Sequence, residues 1–416
     1  MKNVIVIGGG IIGLSSAFYL QRSGHRVTVL DKNGFTDNCS YGNMGYVSPS
    51  HFIPLASPGI VWQGIKWMFN SRSPFYVQPS LNASLIDWGL KFMRSATKEN
   101  VEHAAVPLKD ISLLSQFEYG EWEKIPGFDF AFEHKGMLEI FKTDKVAQHA
   151  GETAEEGKRL GLDVELIDEK QLQQLEPHTT IHAKGALHFK CDAHLYPDQL
   201  MSCLKNYLKQ NNVQMISEEV TGFEKNNGKI NKVFAGNNSY QPDEVVIAAG
   251  SWSREIAMLL QTKIPLMPGR GYSFTLDGSP YKLNHPAILT EGRVAITPMQ
   301  GGNKMRFGGT MEIVKVNTPP RYHRVRGIVD AVRNFFPDFT IEMPPEEKIW
   351  YGFRPTSADG LPYIGKIKKY NNATVATGHS MLGLSLGAAT GKLVSEIINE
   401  QQTSIDIKSF EVERFG

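Results

Sequence analysis

The sequence predicts an α/β protein: a discontinuous Rossmann-like nucleotide-binding domain carrying an inserted α+β domain with a mostly antiparallel sheet. Three observations lead there. Val4-Ile5-Val6-Ile7 runs straight into Gly8-Gly9-Gly10-Ile11-Ile12-Gly13, with Asp31 eighteen positions beyond the last glycine. A second apolar run, Val245 to Ala249, ends in a small-residue turn at Gly250. The end of the chain returns to strand, loop and helix after a meander punctuated by glycine and proline.

The opening run is short, apolar and β-branched, the pattern of a strand buried on both faces. In G-x-G-x-x-G, Gly8 allows a tight turn, Gly10 lets the backbone approach a pyrophosphate, and Gly13 lets the next helix pack close. Residues 14–22 read as that helix, ending at Gly24. Its N-terminus, with the Ile11 and Ile12 amides, offers N–H groups and partial positive charge to phosphates. Residues 26–30 read as the second strand. Asp31 at its tip suits a ribose diol and would repel a 2′-phosphate.

At 416 residues about two domains are expected. A net charge of +1 gives no reason to expect nucleic acid. Three cysteines, Cys39, Cys191 and Cys203, match no metal or disulfide framework, which points to a reducing compartment and to no bound metal. With a strand from Val4 and no run near the ~18 apolar residues of a membrane span, no leader and no spanning helix are expected.

Between 47 and 190 the αβ rhythm breaks into loops rich in proline and aromatic residues, then helices around 108–124 and 145–160. A helix with Pro197 in its first turn follows, then strands near 213–217, 220–225 and 229–235. From 265 to 312 the chain reads as a meander, with strands at 272–276, 294–297 and 305–307, and a helix follows at 322–336. Residues 1–46, 191–262 and 345–416 therefore form the nucleotide domain, and 47–190 and 263–344 the substrate domain. A wrapped flavin fits this plan better than a diffusing nicotinamide.

The chain resembles the D-amino-acid oxidase superfamily of FAD enzymes, and within it the bacterial D-amino-acid dehydrogenase branch. The resemblance rests on the N-terminal glycines with Asp31-Lys32, on Ser40 to Pro49, on Ala248 to Ser253, on Gly271-Tyr272-Ser273, on Trp350 to Pro355, and on Gly378-His379 through Leu393. It implies FAD extended across the first domain and oxidation of a D-amino acid to an imino acid. Water then gives the 2-oxo acid and ammonia. It also implies electrons passed to a quinone or carrier protein. The alternatives are an oxygen-using glycine- or sarcosine-type amine oxidase and an FAD-binding subunit of a multi-subunit (hydroxy)proline dehydrogenase.

Arg354 heads the candidate residues, because a guanidinium fork binds an α-carboxylate bidentately. The competing reading is an arginine paired with Asp359 or a loop carbonyl. Gly378 to Gly383 reads as the start of a helix running to about Asn399, its backbone at Gly378, Met381, Leu382 and Gly383 facing the flavin. The His379 imidazole either tunes the flavin or only packs. Tyr272 either donates to the substrate carboxylate or is a sheet tyrosine. Tyr46 and His51 are candidate substrate contacts. Asn43 and Gly45, with Ala249 and Gly250, are expected at the flavin, and the resemblance puts Val220 at the adenine. With no cysteine in the C-terminal segments, FAD is expected to be non-covalent. Residues 52–96, including Phe52, Trp62, Ile65, Trp67, Met68, Phe69, Leu85, Trp88 and Phe92, read as core of the substrate domain or as a docking surface. A cytoplasmic location, with peripheral contact at the inner face of the plasma membrane, fits either.

Overall fold

The computed structural model describes residues 1–36, 38–60, 62, 74–78 and 82–416. Ile65, Trp67, Met68 and Phe69 lie outside the described residues.

Alternation explains why the first strand is apolar throughout. In Asn3–Ile7, Val4 and Val6 pack toward helix Ile11–Arg22, while Ile5 and Ile7 pack into the cluster on the other face. That strand is central in a six-stranded sheet of order Tyr363–Lys366, Ala373–Thr377, Glu244–Ile247, Asn3–Ile7, Arg26–Leu30, Gln214–Ile216. All neighbours are parallel except the edge pair 363–366 and 373–377. The strands come from the beginning, middle and end of the chain. Helix Gly387–Ile398 packs on Ile11–Arg22 so closely that a Cβ on Gly391 would collide with the Ser15 backbone.

The second sheet has nine strands. Its order is Trp350–Ser357, Leu266–Asp277, Lys304–Ile313, Val294–Met299, Ala287–Leu289, Met137–Phe141, Gly185–Phe189, Val164–Asp168, and Phe75–Val77 pairs with Lys304–Ile313. It is mostly antiparallel; 75–77 beside 304–313 and 287–289 beside 137–141 are parallel. Trp350–Ser357 belongs to this sheet although it lies beyond residue 345, because it pairs along eight residues with Leu266–Asp277. Helix Val325–Phe335 covers one face with Ile328, Val329 and Val332.

Two helices depart from expectation. Lys98–Glu123 continues through Pro107. The C-terminal helix starts only at Gly387; residues 378–386 are a loop with a single 3₁₀ turn at Ser380–Leu382 and φ of +51° at Ser380. No helix among the described residues is long and apolar enough to cross a membrane.

Candidate active site

The opening glycines divide into two kinds. A Cβ on Gly8, whose φ is +115°, would collide with the Ala248 carbonyl, and one on Gly13 would collide with the Gly8 carbonyl. Those two glycines are demanded by packing. Gly10 is not: the nearest atom to a Cβ there is Ser40 Oγ at 3.6 Å. Its bare face opens into a cavity, as a phosphate-approach glycine requires. Asp31 already shapes this turn, accepting from the Gly9 N–H at 2.7 Å and the Asn33 N–H at 2.8 Å. Lys32 lies 4.5 Å from the centre of the Trp252 ring and 3.9 Å from Glu219.

The cavity measures about 1020 Å³, the top of the range for small-molecule sites. At one end its wall is Gly8, Gly10, Ile11 and Ile12 with Asp31, Lys32 and Val220. Ala249, Gly250, Asn43, Met381, Leu382 and Gly383 also line the cavity. Three expected contacts stand outside it. Gly13 packs on Gly8. Gly45, with φ of +79°, fits against the Leu195 carbonyl, and Gly378 against the Tyr363 ring. Asn43 spends its side-chain oxygen on the Gly45 N–H at 2.8 Å.

Strand parity decides the far end. Gly271 pairs with Gly352 and Gly269 with Arg354, so Arg354 and Gly271 share a face. The Arg354 guanidinium lies across Gly271, at the place a Cβ would occupy. Nη1 donates to the Thr310 carbonyl at 2.6 Å. No carboxylate pairs with Arg354 among the described residues, and burial pushes its pKa down to about 10. Asp359, the rival partner, is held by Arg414 at 2.6 and 2.8 Å.

Tyr272 is one residue out of phase and points to the opposite face. Its hydroxyl donates to Glu312 at 2.7 Å and accepts the Arg321 N–H at 2.7 Å. Glu312 is fully buried between Arg270 and Arg324. Tyr272 is among the residues lining the cavity, but its hydroxyl is already engaged by Glu312 and the Arg321 N–H. Tyr46 lines the cavity, but its hydroxyl lies 2.9 Å from the Ala287 and Ile296 carbonyls, which occupy its single proton. His379 lines the cavity and is 2 % exposed, with Nε2 at 3.0 Å from Thr390 Oγ1; burial lowers its pKa to about 3, so the ring is neutral. His51 is on the wall too, with Nδ1 at 3.1 Å from Ser50 Oγ.

Several wall residues went unread in the sequence. Cys39 Sγ accepts the Phe353 N–H at 3.0 Å, because the 38–45 loop folds over strand 350–357. A cysteine therefore does sit beside a C-terminal segment in space. Met44 covers Gly308, and Glu139 and Arg293 also line the cavity. No motif marks them; only the sheet register brings them together. On helix Ala83–Ser95, Leu85, Trp88, Gly89 and Phe92 do share a face, and it lines the cavity, with Trp88 Nε1 donating to the Thr356 carbonyl at 3.0 Å. Phe52 is fully buried and Trp62 is exposed.

The donor set suits a large polar-edged ring with a phosphate tail. Trp350, Thr310, His379 and Ser380 line the cavity, and each carries a buried polar atom (Nε1, Oγ1, Nδ1 and Oγ) without a partner among the described residues. Buried polar atoms left this way each cost roughly 1–3 kcal/mol unless a ligand satisfies them.

Comparison with known proteins agrees. The model of a family described as FAD dependent oxidoreductase (DAO) matches residues 3–397. A D-amino acid dehydrogenase of Granulibacter bethesdensis is 27% identical over 99% of both chains, and one of Neisseria meningitidis 28% identical over 99% of both. Among solved structures, glycine oxidase from Geobacillus kaustophilus aligns with TM-score 0.79 at 19% identity, covering 99% of this chain and 98% of its own. L-proline dehydrogenase from P. horikoshii aligns with TM-score 0.79 at 18% identity, covering 100% and 97%.

Proposed function

Because the chain belongs to the DAO family of FAD dependent oxidoreductases, we propose that it oxidises the Cα–N bond of a D-amino acid and passes the electrons to a quinone or carrier protein. The carrying observation is Arg354: a buried cation facing the cavity with no acid partner among the described residues. Such a group calls for an anionic ligand. A substrate carboxylate on its fork would fix Cα in the cavity, and orientation of this kind supplies much of the rate enhancement. Bound FAD supplies the two-electron acceptor for the hydride leaving Cα. Asp31 and the Gly8–Gly13 turn would hold its ribose and pyrophosphate, Val220 its adenine end, and the loop through Met381, Leu382 and Gly383 its ring. Non-covalent attachment is the simplest reading, and Cys39 is the side chain to check: acid precipitation should leave all the flavin in the supernatant.

Residues 1–46, 191–262 and the chain beyond strand 350–357 would act as the flavin unit, with the nine-stranded sheet as the substrate unit. The names of the relatives support D-configuration and a non-oxygen acceptor. A cytoplasmic enzyme touching the inner face of the plasma membrane would reach a quinone.

The test is anaerobic titration of the purified holoprotein with D-, L- and N-methyl amino acids, following the flavin band. Bleaching by D-amino or D-imino acids supports the proposal. Bleaching by glycine or sarcosine alone, with peroxide formed in air, assigns the amine-oxidase chemistry instead. No bleaching by any of them rejects amino-acid oxidation by this chain alone, as a subunit requiring its partner would show.

A further inference from the structure

The cavity wall also carries a hydrogen-bonded chain that begins at His51 and Ser50 and runs back to buried Asp192. Ser50 donates its backbone N–H to Asp192 Oδ1 at 3.0 Å and its hydroxyl to Asp192 Oδ2 at 2.6 Å. Ser50 Oγ also lies 3.1 Å from His51 Nδ1. A hydroxyl has one proton. With Asp192 ionised that proton belongs to the carboxylate, so Ser50 Oγ must accept from His51 Nδ1–H. The tautomer is then fixed, and His51 Nε2 keeps a lone pair. Nε2 has no partner among the described residues, and His51 and Ser50 both line the cavity, while Asp192 behind them is 0% exposed.

We propose that His51, Ser50 and Asp192 form a proton relay that deprotonates the substrate ammonium. The proposal rests on the amine-oxidase reading above. An amino acid arrives as an ammonium ion, and only the neutral amine carries the lone pair that drives hydride off Cα. His51 Nε2 takes one N–H proton. Nδ1 releases its proton to Ser50 Oγ, and Ser50 passes its own to Asp192 Oδ2. The products are neutral amine, the Nε2–H tautomer of His51, a Ser50 hydroxyl now turned to Nδ1, and a protonated Asp192. No proton is lost or gained, and no electron moves in this step.

The local electrostatics suit the two ends. Burial holds His51 neutral, its pKa pushed down to about 4, so imidazolium does not accumulate. Burial pushes Asp192 up to about 7, helped by Glu139, so it can store a proton near neutrality. The other titratable groups facing the chain are Cys191, whose Sγ lies 3.7 Å from Asp192 Oδ1, and Tyr46, with Arg293 beyond Glu139. His51 would be the catalytic residue; Ser50 and Asp192 act through it as positioning residues.

The experiment is stopped-flow flavin reduction of the holoenzyme by D-proline and D-alanine between pH 6 and 10. Variants are Ser50→Ala, Ser50→Thr and Asp192→Asn. The relay predicts that Ser50→Ala and Asp192→Asn lose tenfold or more in reduction rate per substrate concentration at pH 7. They should recover toward wild type as pH approaches that of the free amine, and Ser50→Thr should restore the wild-type profile. A uniform loss at every pH, or profiles parallel to wild type, overturns the relay while leaving amino-acid oxidation standing. If neither compound, nor any other D-amino acid, reduces the wild-type flavin, the underlying reading fails instead.

Discussion

The guanidinium of Arg354 occupies the space that a Cβ on Gly271 would fill, one strand away on the same face of the large sheet. If Arg354 is the carboxylate clamp proposed above, Gly271 sets its position by lacking a side chain. Gly271→Ala should displace the fork and leave the fold and flavin intact. Misplacement of a binding group by about 1 Å costs on the order of 10²-fold, so kcat/KM should fall by about that factor. Rates within threefold of wild type would show that the guanidinium has another resting place.

Arg354→Lys separates charge from geometry. Lysine keeps the cation but offers a point donor where the carboxylate needs two parallel ones. Losing half of a buried charged pair costs about 2–5 kcal/mol, and each 1.4 kcal/mol or so is tenfold. Arg354→Ala should lose kcat/KM by roughly 10²–10³ while remaining yellow, with Arg354→Lys between the two. Undiminished kcat/KM in the alanine variant would remove Arg354 from the site.

Tyr272→Phe should behave in the opposite way. Its hydroxyl serves Glu312 and the Arg321 N–H on the far face of the sheet. Deleting it leaves a buried carboxylate short of a donor, at a cost of about 1–3 kcal/mol. Chemical denaturation should show that loss while kcat/KM stays within about twofold. A large kinetic effect without destabilisation would put the hydroxyl back at the substrate.

Tyr272 shows where the sequence stops being readable. The strand through 272–276 is legible from its alternation, and so is the glycine turn with Asp31, because those signals are local. Which face of a strand looks into the cavity depends on the register of Gly271 with Gly352 and on the irregularity between Arg270 and Tyr272 opposite Lys304–Ile313. Neither is written in a window of residues. The same holds for Cys39 against Phe353 and for Glu139, which reach the wall only through long-range pairing. Gly378 to Gly383 misleads for a local reason: a glycine-rich entry reads as a helix start, yet φ of +51° at Ser380 breaks the helical path until Gly387.

His379 makes stability depend on pH. Its folded pKa, about 3, lies below the ordinary 6.5 because burial disfavours the imidazolium. Below pH 6.5 the unfolded chain takes up a proton that the folded chain refuses, so this contribution is present above 6.5 and lost as pH falls. The slope approaches 1.4 kcal/mol or so per pH unit. His51 acts in the same direction, and Glu139 and Asp192, both raised to about 7, oppose it. The difference between wild type and His379→Asn isolates the histidine. Between pH 6.5 and 5 the variant should gain about 2 kcal/mol relative to wild type, measured by denaturant unfolding at fixed excess FAD. An unchanged difference would mean the ring protonates in the folded state.

Asp31 shapes a turn and, in the function proposed above, also holds the ribose; one substitution can weigh the two roles. Its Oδ2 anchors the Gly9 N–H and its Oδ1 the Asn33 N–H, so it shapes the turn before any ligand is present. Carboxylate oxygens have further lone pairs for a ribose diol. Asp31→Asn keeps one oxygen acceptor but replaces the other with a donor facing an N–H. Charge-assisted hydrogen bonds to a carboxylate contribute about 1.5–3 kcal/mol each, so FAD affinity should fall by 10-fold or more. Asp31→Glu preserves the charge but moves it by one methylene, and should bind between the two. Fluorescence titration of the flavin-stripped protein with FAD gives both Kd values. If Asp31→Asn binds FAD as tightly as wild type, the carboxylate shapes the loop only, and the ribose is held by the backbone around Lys32 and Asn33.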